Sequence, residues 1–221
     1  RHGKYCPDNN NTEDRMLRIL GRDTSSNVMK VLWACDELGI PFEREGIGGK
    51  HGGNDTPEFR ALNPNGLVPV IIDDSFVTWE SNTCVRYLAA KHGRGTLYPD
   101  DLQTRATAER WMDWQVTTVS PAMIPVFRGM IRTKPEDRDM NVIEQGRAAL
   151  SDKMAIVDAA LADRAYLAGD TFTMGDIPLG IAAWRWFNMP IEREEYSHLR
   201  RWCDALSERP GYQHHIMKPV T

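Results

Sequence analysis

The chain has 221 residues, room for one large domain or two small ones, and its 41% hydrophobic content can bury a substantial core. A net charge of -4 supplies no basic field, so neither nucleic acid nor an anionic membrane surface is expected as a partner. No run approaches the roughly 20 apolar residues that span a bilayer, and no basic-then-apolar leader of the secretory kind is seen.

Residues 1–15 are polar and asparagine-rich and lack an apolar period, so they are expected to form a disordered or appended extension. Leu17 to Gly21 alternates as a short strand does. Asp23 to Asn27 offers several helix N-cap candidates, and Val28, Val31, Leu32, Cys35 and Leu38 follow at helical spacing until Gly39. Pro41 to Glu45 reads as a second strand, parallel to the first through a right-handed crossover. Gly46 to Asn54 is glycine-rich and expected to be a flexible loop.

Thr56-Pro57-Glu58 resembles a helix start with proline at the first position, and Asn63-Pro64-Asn65-Gly66 ends it. Val68 to Ile72 and Phe76 to Trp79 predict two further strands around a turn at Asp73-Asp74-Ser75. Ser81 is a candidate cap for a helix carrying Val85, Leu88 and Ala89. The first half is thus a βαβ-α-ββα unit, residues 16–95, of thioredoxin-like layout.

Gly93 to Asp101 marks a boundary, and residues 104–221 predict an all-helical bundle. Thr104 to Met130 reads as one long helical segment. Ile143, Leu150, Met154, Val157 and Leu161 share a face of another. Thr173 to Asp176 forms a capping box, with Phe172 and Ile177 as its hydrophobic staple. A last helix carries Leu199, Trp202, Cys203 and Leu206 and is stopped by Arg209-Pro210-Gly211. Cys6, Cys35, Cys84 and Cys203 show no metal-ligand or C-x-x-C spacing. The last three sit in helical apolar patterns as small buried groups, as in a reducing cytoplasm. His214-His215 lacks further ligand-spaced partners, so no metal is expected.

Four features, in order, carry a resemblance. They are Thr24-Ser25-Ser26-Asn27, Asn63-Pro64-Asn65-Gly66-Leu67-Val68-Pro69-Val70, Trp79-Glu80-Ser81-Asn82, and the Thr173–Asp176 box. From Met16 onward the chain resembles the soluble, cytosolic-type bacterial glutathione S-transferases. The resemblance implies a cytoplasmic homodimer active in detoxification. It would bind glutathione as co-substrate and direct its thiolate at a hydrophobic electrophilic small molecule.

By the same resemblance, Val68-Pro69 is a cis-proline turn whose Val68 backbone groups hold the cysteinyl unit by strand-like pairing. Ser81 meets the γ-glutamyl carboxylate at a helix N-terminus, and Glu80 meets the α-ammonium. Ser25, Ser26 and Asn27 are the candidates to donate to the sulfur. The serine-type register selects Ser26, the bacterial register Ser25 and Asn27, and Thr24 is an outside candidate. Leu67 stands where many relatives carry Gln, Lys or Arg, for which Lys50, His51 and Asn54 are candidate substitutes. Trp111, Trp114, Gln115 and Arg128 are candidates for the second-substrate pocket. The alternatives on this scaffold are glutathione-dependent disulfide reduction or peroxidase chemistry, and a non-enzymatic ligand-binding protein.

Overall fold

The computed structural model describes residues 16–221; the predicted N-terminal extension lies outside them. Strands β1 (Leu17–Leu20), β2 (Phe42–Glu45), β3 (Val70–Asp73) and β4 (Phe76–Trp79) form one sheet in the order β2-β1-β3-β4. β2 runs parallel to β1 because α1 (Ser26–Leu38) crosses over between them, while β3 and β4 pair antiparallel. This is the thioredoxin-like arrangement expected. β3 starts at Val70 rather than Val68, since Pro69 has no N–H to give a ladder.

α1 explains why two layers need each other. Val28, Val31, Leu32 and Cys35 bury one face against the sheet, while Trp33 and Ala34 belong to the core of the helical half. Fully buried apolar side chains contribute about 1.5–3 kcal/mol each, so this shared helix fastens the two halves firmly. A Cβ on Gly21, at the end of β1, would stand 2.5 Å from Val28 Cγ2 and 3.2 Å from Val68 Cβ. Glycine therefore lets β1 close onto α1 and the Val68 turn.

The remaining helices are α2 (Pro57–Leu62), α3 (Ser81–His92), α4 (Leu102–Trp114), α5 (Ser120–Phe127), α6 (Met140–Ala160), α7 (Asp176–Asn188), α8 (Ser197–Ser207) and α9 (Pro210–His215). Thr56 caps α2 through Phe59 N–H, 3.3 Å away, with Pro57 at the first position as expected. The Gly46–Asn54 loop is more ordered than predicted. A 3₁₀ turn at Gly49–His51 is closed by Gly48 N–H donating to Gly52 C=O at 2.7 Å.

Three further expectations change. The single long helix predicted over Thr104–Met130 is divided by π-turns at Gln115–Val119 and Arg128–Arg132. Pro121 and Pro125 fall in α5, where each removes a donor from the i→i-4 ladder. Arg209-Pro210-Gly211 does not end the last helix, because α8 ends at Ser207 and Pro210 opens α9.

The Thr173–Asp176 box is reciprocal in only one direction. Asp176 accepts from Thr173 N–H at 2.9 Å, whereas the Thr173 hydroxyl accepts from Gly175 N–H and donates to Asp176. Asp176 also accepts from Leu167 N–H and Trp202 Nε1, which makes it the polar centre of the bundle. The face carrying Ile143, Leu150, Met154, Val157 and Leu161 is buried as predicted, as are Leu199, Trp202, Cys203 and Leu206.

Candidate functional site

The start of α1 exposes unused donors. Ser25 is its N-cap residue, extended at φ -82° and ψ 121°, and its side chain makes no capping bond. The first intrahelical bond of this turn is Met29 N–H to Ser25 C=O at 2.8 Å, so the N–H groups of Ser26, Asn27 and Val28 lack helical acceptors. Ser26 and Asn27, with the partial positive charge of the helix end, line a cleft of about 400 Å³, whereas Val28 is buried. Thr24, Ser25, Ser26, Asn27, Leu67 and Val68 line it from the sheet half.

The Val68–Pro69 bond is cis, as the resemblance implied. The buried Asn63 holds the turn before it: its amide donates to Leu67 C=O at 2.7 Å and its Oδ1 accepts from Asn65 N–H. Asn54 donates to Gly66 C=O at 2.9 Å from across the loop. Leu67 itself is exposed.

Along the cleft floor runs a buried polar chain. Lys30 Nζ donates to Gln115 Oε1 at 2.9 Å and to Ser81 Oγ at 3.3 Å. The Ser81 hydroxyl donates onward to Asn27 Oδ1 at 3.3 Å, and Gln115 Nε2 donates to Ser120 Oγ at 2.8 Å. Burial pushes the Lys30 ammonium down to about 7, against the pull of Glu80, which raises it, and with Arg185, which lowers it further.

Ser81 therefore does not cap α3. It is the first helical residue, the cap position is Glu80, and the Ser81 hydroxyl is committed to Asn27 and Lys30. Glu80 has φ 67° and ψ 109°, a backbone conformation that costs a non-glycine residue about 1–3 kcal/mol. The conformation swings the chain from β4 into α3, so that Ser81 comes beside Asn27.

Other candidates are placed differently. Lys50 and His51 are exposed on the 3₁₀ turn and, like Pro69, Glu80 and Ser81, are not among the cleft residues. Trp111 is not in the cleft either. It is buried in the helical core, its Nε1 donating to Leu167 C=O, and Trp114 packs edge-on against it. Gln115 and Arg128 do line the cleft. His214 and His215, read as lacking partners, both meet Asp36, at 3.3 and 2.9 Å, across a sequence gap that no spacing rule spans.

The family described as "Glutathione S-transferase, N-terminal domain" matches residues 24–91, and "Glutathione S-transferase, C-terminal domain" matches residues 140–205. The chain belongs to the glutathione S-transferase family. Glutathione S-transferase GstB of Escherichia coli (strain K12) is 39% identical over 208 residues, covering 93% of this chain and 100% of that protein. The crystal structure of the theta class glutathione S-transferase from Xanthomonas axonopodis pv. citri, with glutathione bound, superposes with a TM-score of 0.90. It shares 46% identity and covers 93% of this chain and 99% of that one. Glutathione S-transferase 3 of Zea mays is 29% identical over 203 residues, 89% of this chain and 91% of that protein.

Within this glutathione S-transferase fold, sequence reasoning missed Lys30 and three of the arginines facing the cleft, Arg22, Arg132 and Arg185. Lys30 had one available signal: a lysine inside the Val28, Val31, Leu32 apolar face of α1 predicts a buried ammonium in need of partners. The arginines had none, because three separate elements bring them together.

Proposed function

We propose that this protein is a glutathione transferase that binds glutathione in the cleft beside α1 and presents its thiolate to an electrophilic small molecule. The observation that carries the proposal is the set of unused donors at the start of α1, next to the Val68–Pro69 turn and Ser81. A sulfur bound there meets hydroxyl donors and a helix N-terminus, and both favour its charged form. Lowering a thiol of pKa ~8.5 by about two units stabilises the thiolate by about 2.7 kcal/mol. This is electrostatic preorganisation, with no covalent bond to the protein.

In this reading Val68 pairs with the cysteinyl backbone, Pro69 shapes that turn, Ser81 receives the γ-glutamyl carboxylate and Glu80 the α-ammonium. Ser26, the first residue of α1, is the primary sulfur donor, with Ser25 and Asn27 beside it. Asn27 Oδ1 is already occupied by Ser81, which leaves its amide N–H₂ as the group able to donate. Lys50 and His51 act from the loop, near the glycyl end. Residues 16–95 form the glutathione-binding domain and residues 104–221 the helical one. The functional unit is a cytoplasmic homodimer with a detoxifying role, and no metal takes part.

The test is conjugation of glutathione to an activated aryl halide. Wild-type protein turns it over above the uncatalysed rate, and Ser26→Ala lowers kcat more than it raises KM. A larger kcat loss from Ser25→Ala or Asn27→Ala reassigns the donor. Glutathione binding without turnover of any electrophile supports a ligand-binding protein instead.

A further inference from the structure

Four guanidinium groups face the cleft: Arg22 after β1, Arg128 and Arg132 on the π-turn following α5, and Arg185 on α7. Among the described residues, Arg22, Arg128 and Arg185 have no carboxylate within ion-pair distance. Arg132 donates to the Thr221 backbone oxygen at 2.8 Å. Among the described residues outside the cleft, Arg209, Arg147 and Arg86 pair with Glu37, Glu144 and Asp113.

The cleft arginines are also held in place. The Arg185 guanidinium stands 4.3 Å from the Phe127 ring centre and that of Arg132 5.5 Å from the same ring, each in cation–π contact. Burial, and then the charges of Arg132 and Arg22, bring Arg185 down to about 10, so its charge form is under pressure that an anion would relieve. Met123, Ile124 and Ile181 supply apolar surface beside them.

Resting on the glutathione reading above, we propose that the helical wall of this cleft selects an electrophile bearing a carboxylate or similar anion on an apolar body. Val68, Glu80 and Ser81 belong to the sheet half and take the tripeptide. Arg128, Arg132 and Arg185 come from the helical half and remain for the second substrate. A carboxylated aryl halide fits this arrangement. The glutathione thiolate forms the C–S bond, the carbon–halogen bond breaks, and halide leaves with the electron pair. The thiol proton has already gone to solvent.

Isothermal calorimetry with glutathione, S-(p-carboxybenzyl)glutathione and its neutral isostere S-(p-carbamoylbenzyl)glutathione tests the proposal on the wild-type protein. The carboxylate conjugate binds tighter than the carbamoyl conjugate by about tenfold, one charge-assisted contact. Arg185→Gln, and independently Arg132→Gln, bring that ratio close to one. Equal affinity of the two conjugates for a wild-type protein that binds glutathione overturns the proposal and leaves the transferase reading standing. So does an Arg185→Gln protein that loses affinity for glutathione itself as much as for the carboxylate conjugate. Failure of all three ligands to bind removes the transferase reading, and this proposal with it.

Discussion

Lys30 Nζ on α1 lies 2.9 Å from Gln115 Oε1 on the π-turn after α4. A buried ammonium in the sheet half is thus hydrogen-bonded to the helical half, directly behind the proposed sulfur site. Lysine carries three donors and two are used, on Gln115 and Ser81. The arrangement couples the orientation of Ser81, and through it Asn27, to the packing of the two halves.

Lys30 makes stability rise with pH. Its pKa is about 7 in the folded chain and near the ordinary lysine value of 10.5 when unfolded. Between those values the unfolded chain holds the proton and the folded chain does not. The burial penalty is therefore fully present below about pH 7 and fades as pH climbs toward 10.5. In urea denaturation from about pH 6.5 to about pH 9, wild type gains about 2 kcal/mol relative to Lys30→Met. Parallel pH profiles for the two proteins contradict this.

Asp176 is the opposite kind of group. Burial first pushes its carboxyl up to about 6, against backbone hydrogen bonds from Leu167 and Thr173 and side-chain bonds from Trp202 and Thr173 that lower it. Asp176→Ala leaves those buried donors without an acceptor and costs on the order of 3–5 kcal/mol. Equilibrium unfolding measures it, and a loss below about 1 kcal/mol excludes a central role for the box.

Glu80 separates folding from binding. Glycine at this position relieves the positive φ of 67° but removes the carboxylate proposed for the α-ammonium. Glu80→Gly keeps or raises the melting temperature while KM for glutathione rises about tenfold or more. Glu80→Gln loses the same binding without the conformational gain. A Glu80→Gly protein with unchanged KM removes Glu80 from the site.

The buried thiols are inert. Burial raises Cys84 to about 12 and raises Cys35 and Cys203 further. With so little thiolate, none of the three reacts with a disulfide reagent at neutral pH until the protein unfolds. Mass spectrometry of the labelled native protein checks this, and rapid modification of any of them contradicts it.

The sequence was most legible where one local rule acts alone. The apolar periods of α1, α6 and α8 fixed their buried faces, and the Thr56-Pro57 start of α2 was readable because its cap lies within four residues. Legibility failed where distant elements decide. Ser81 looked like a cap because serine favours that role, but Lys30 and Asn27 claim its hydroxyl. Trp111 is a pocket candidate in sequence because it lies on the long helical segment of the second half, yet burial against Leu167 takes it into the core. Thr104 to Met130 reads as one helix from its apolar period, but Pro121 and Pro125 interrupt the i→i-4 ladder and the segment continues through π-turns.

Thiolate absorbance of glutathione bound to the wild-type protein, titrated by ultraviolet difference spectroscopy, reads the ionisation of the sulfur at the start of α1 itself. A midpoint about two units below the free thiol's ~8.5 is expected, moving back toward it in Ser26→Ala. Bound glutathione that titrates as the free thiol does would contradict it.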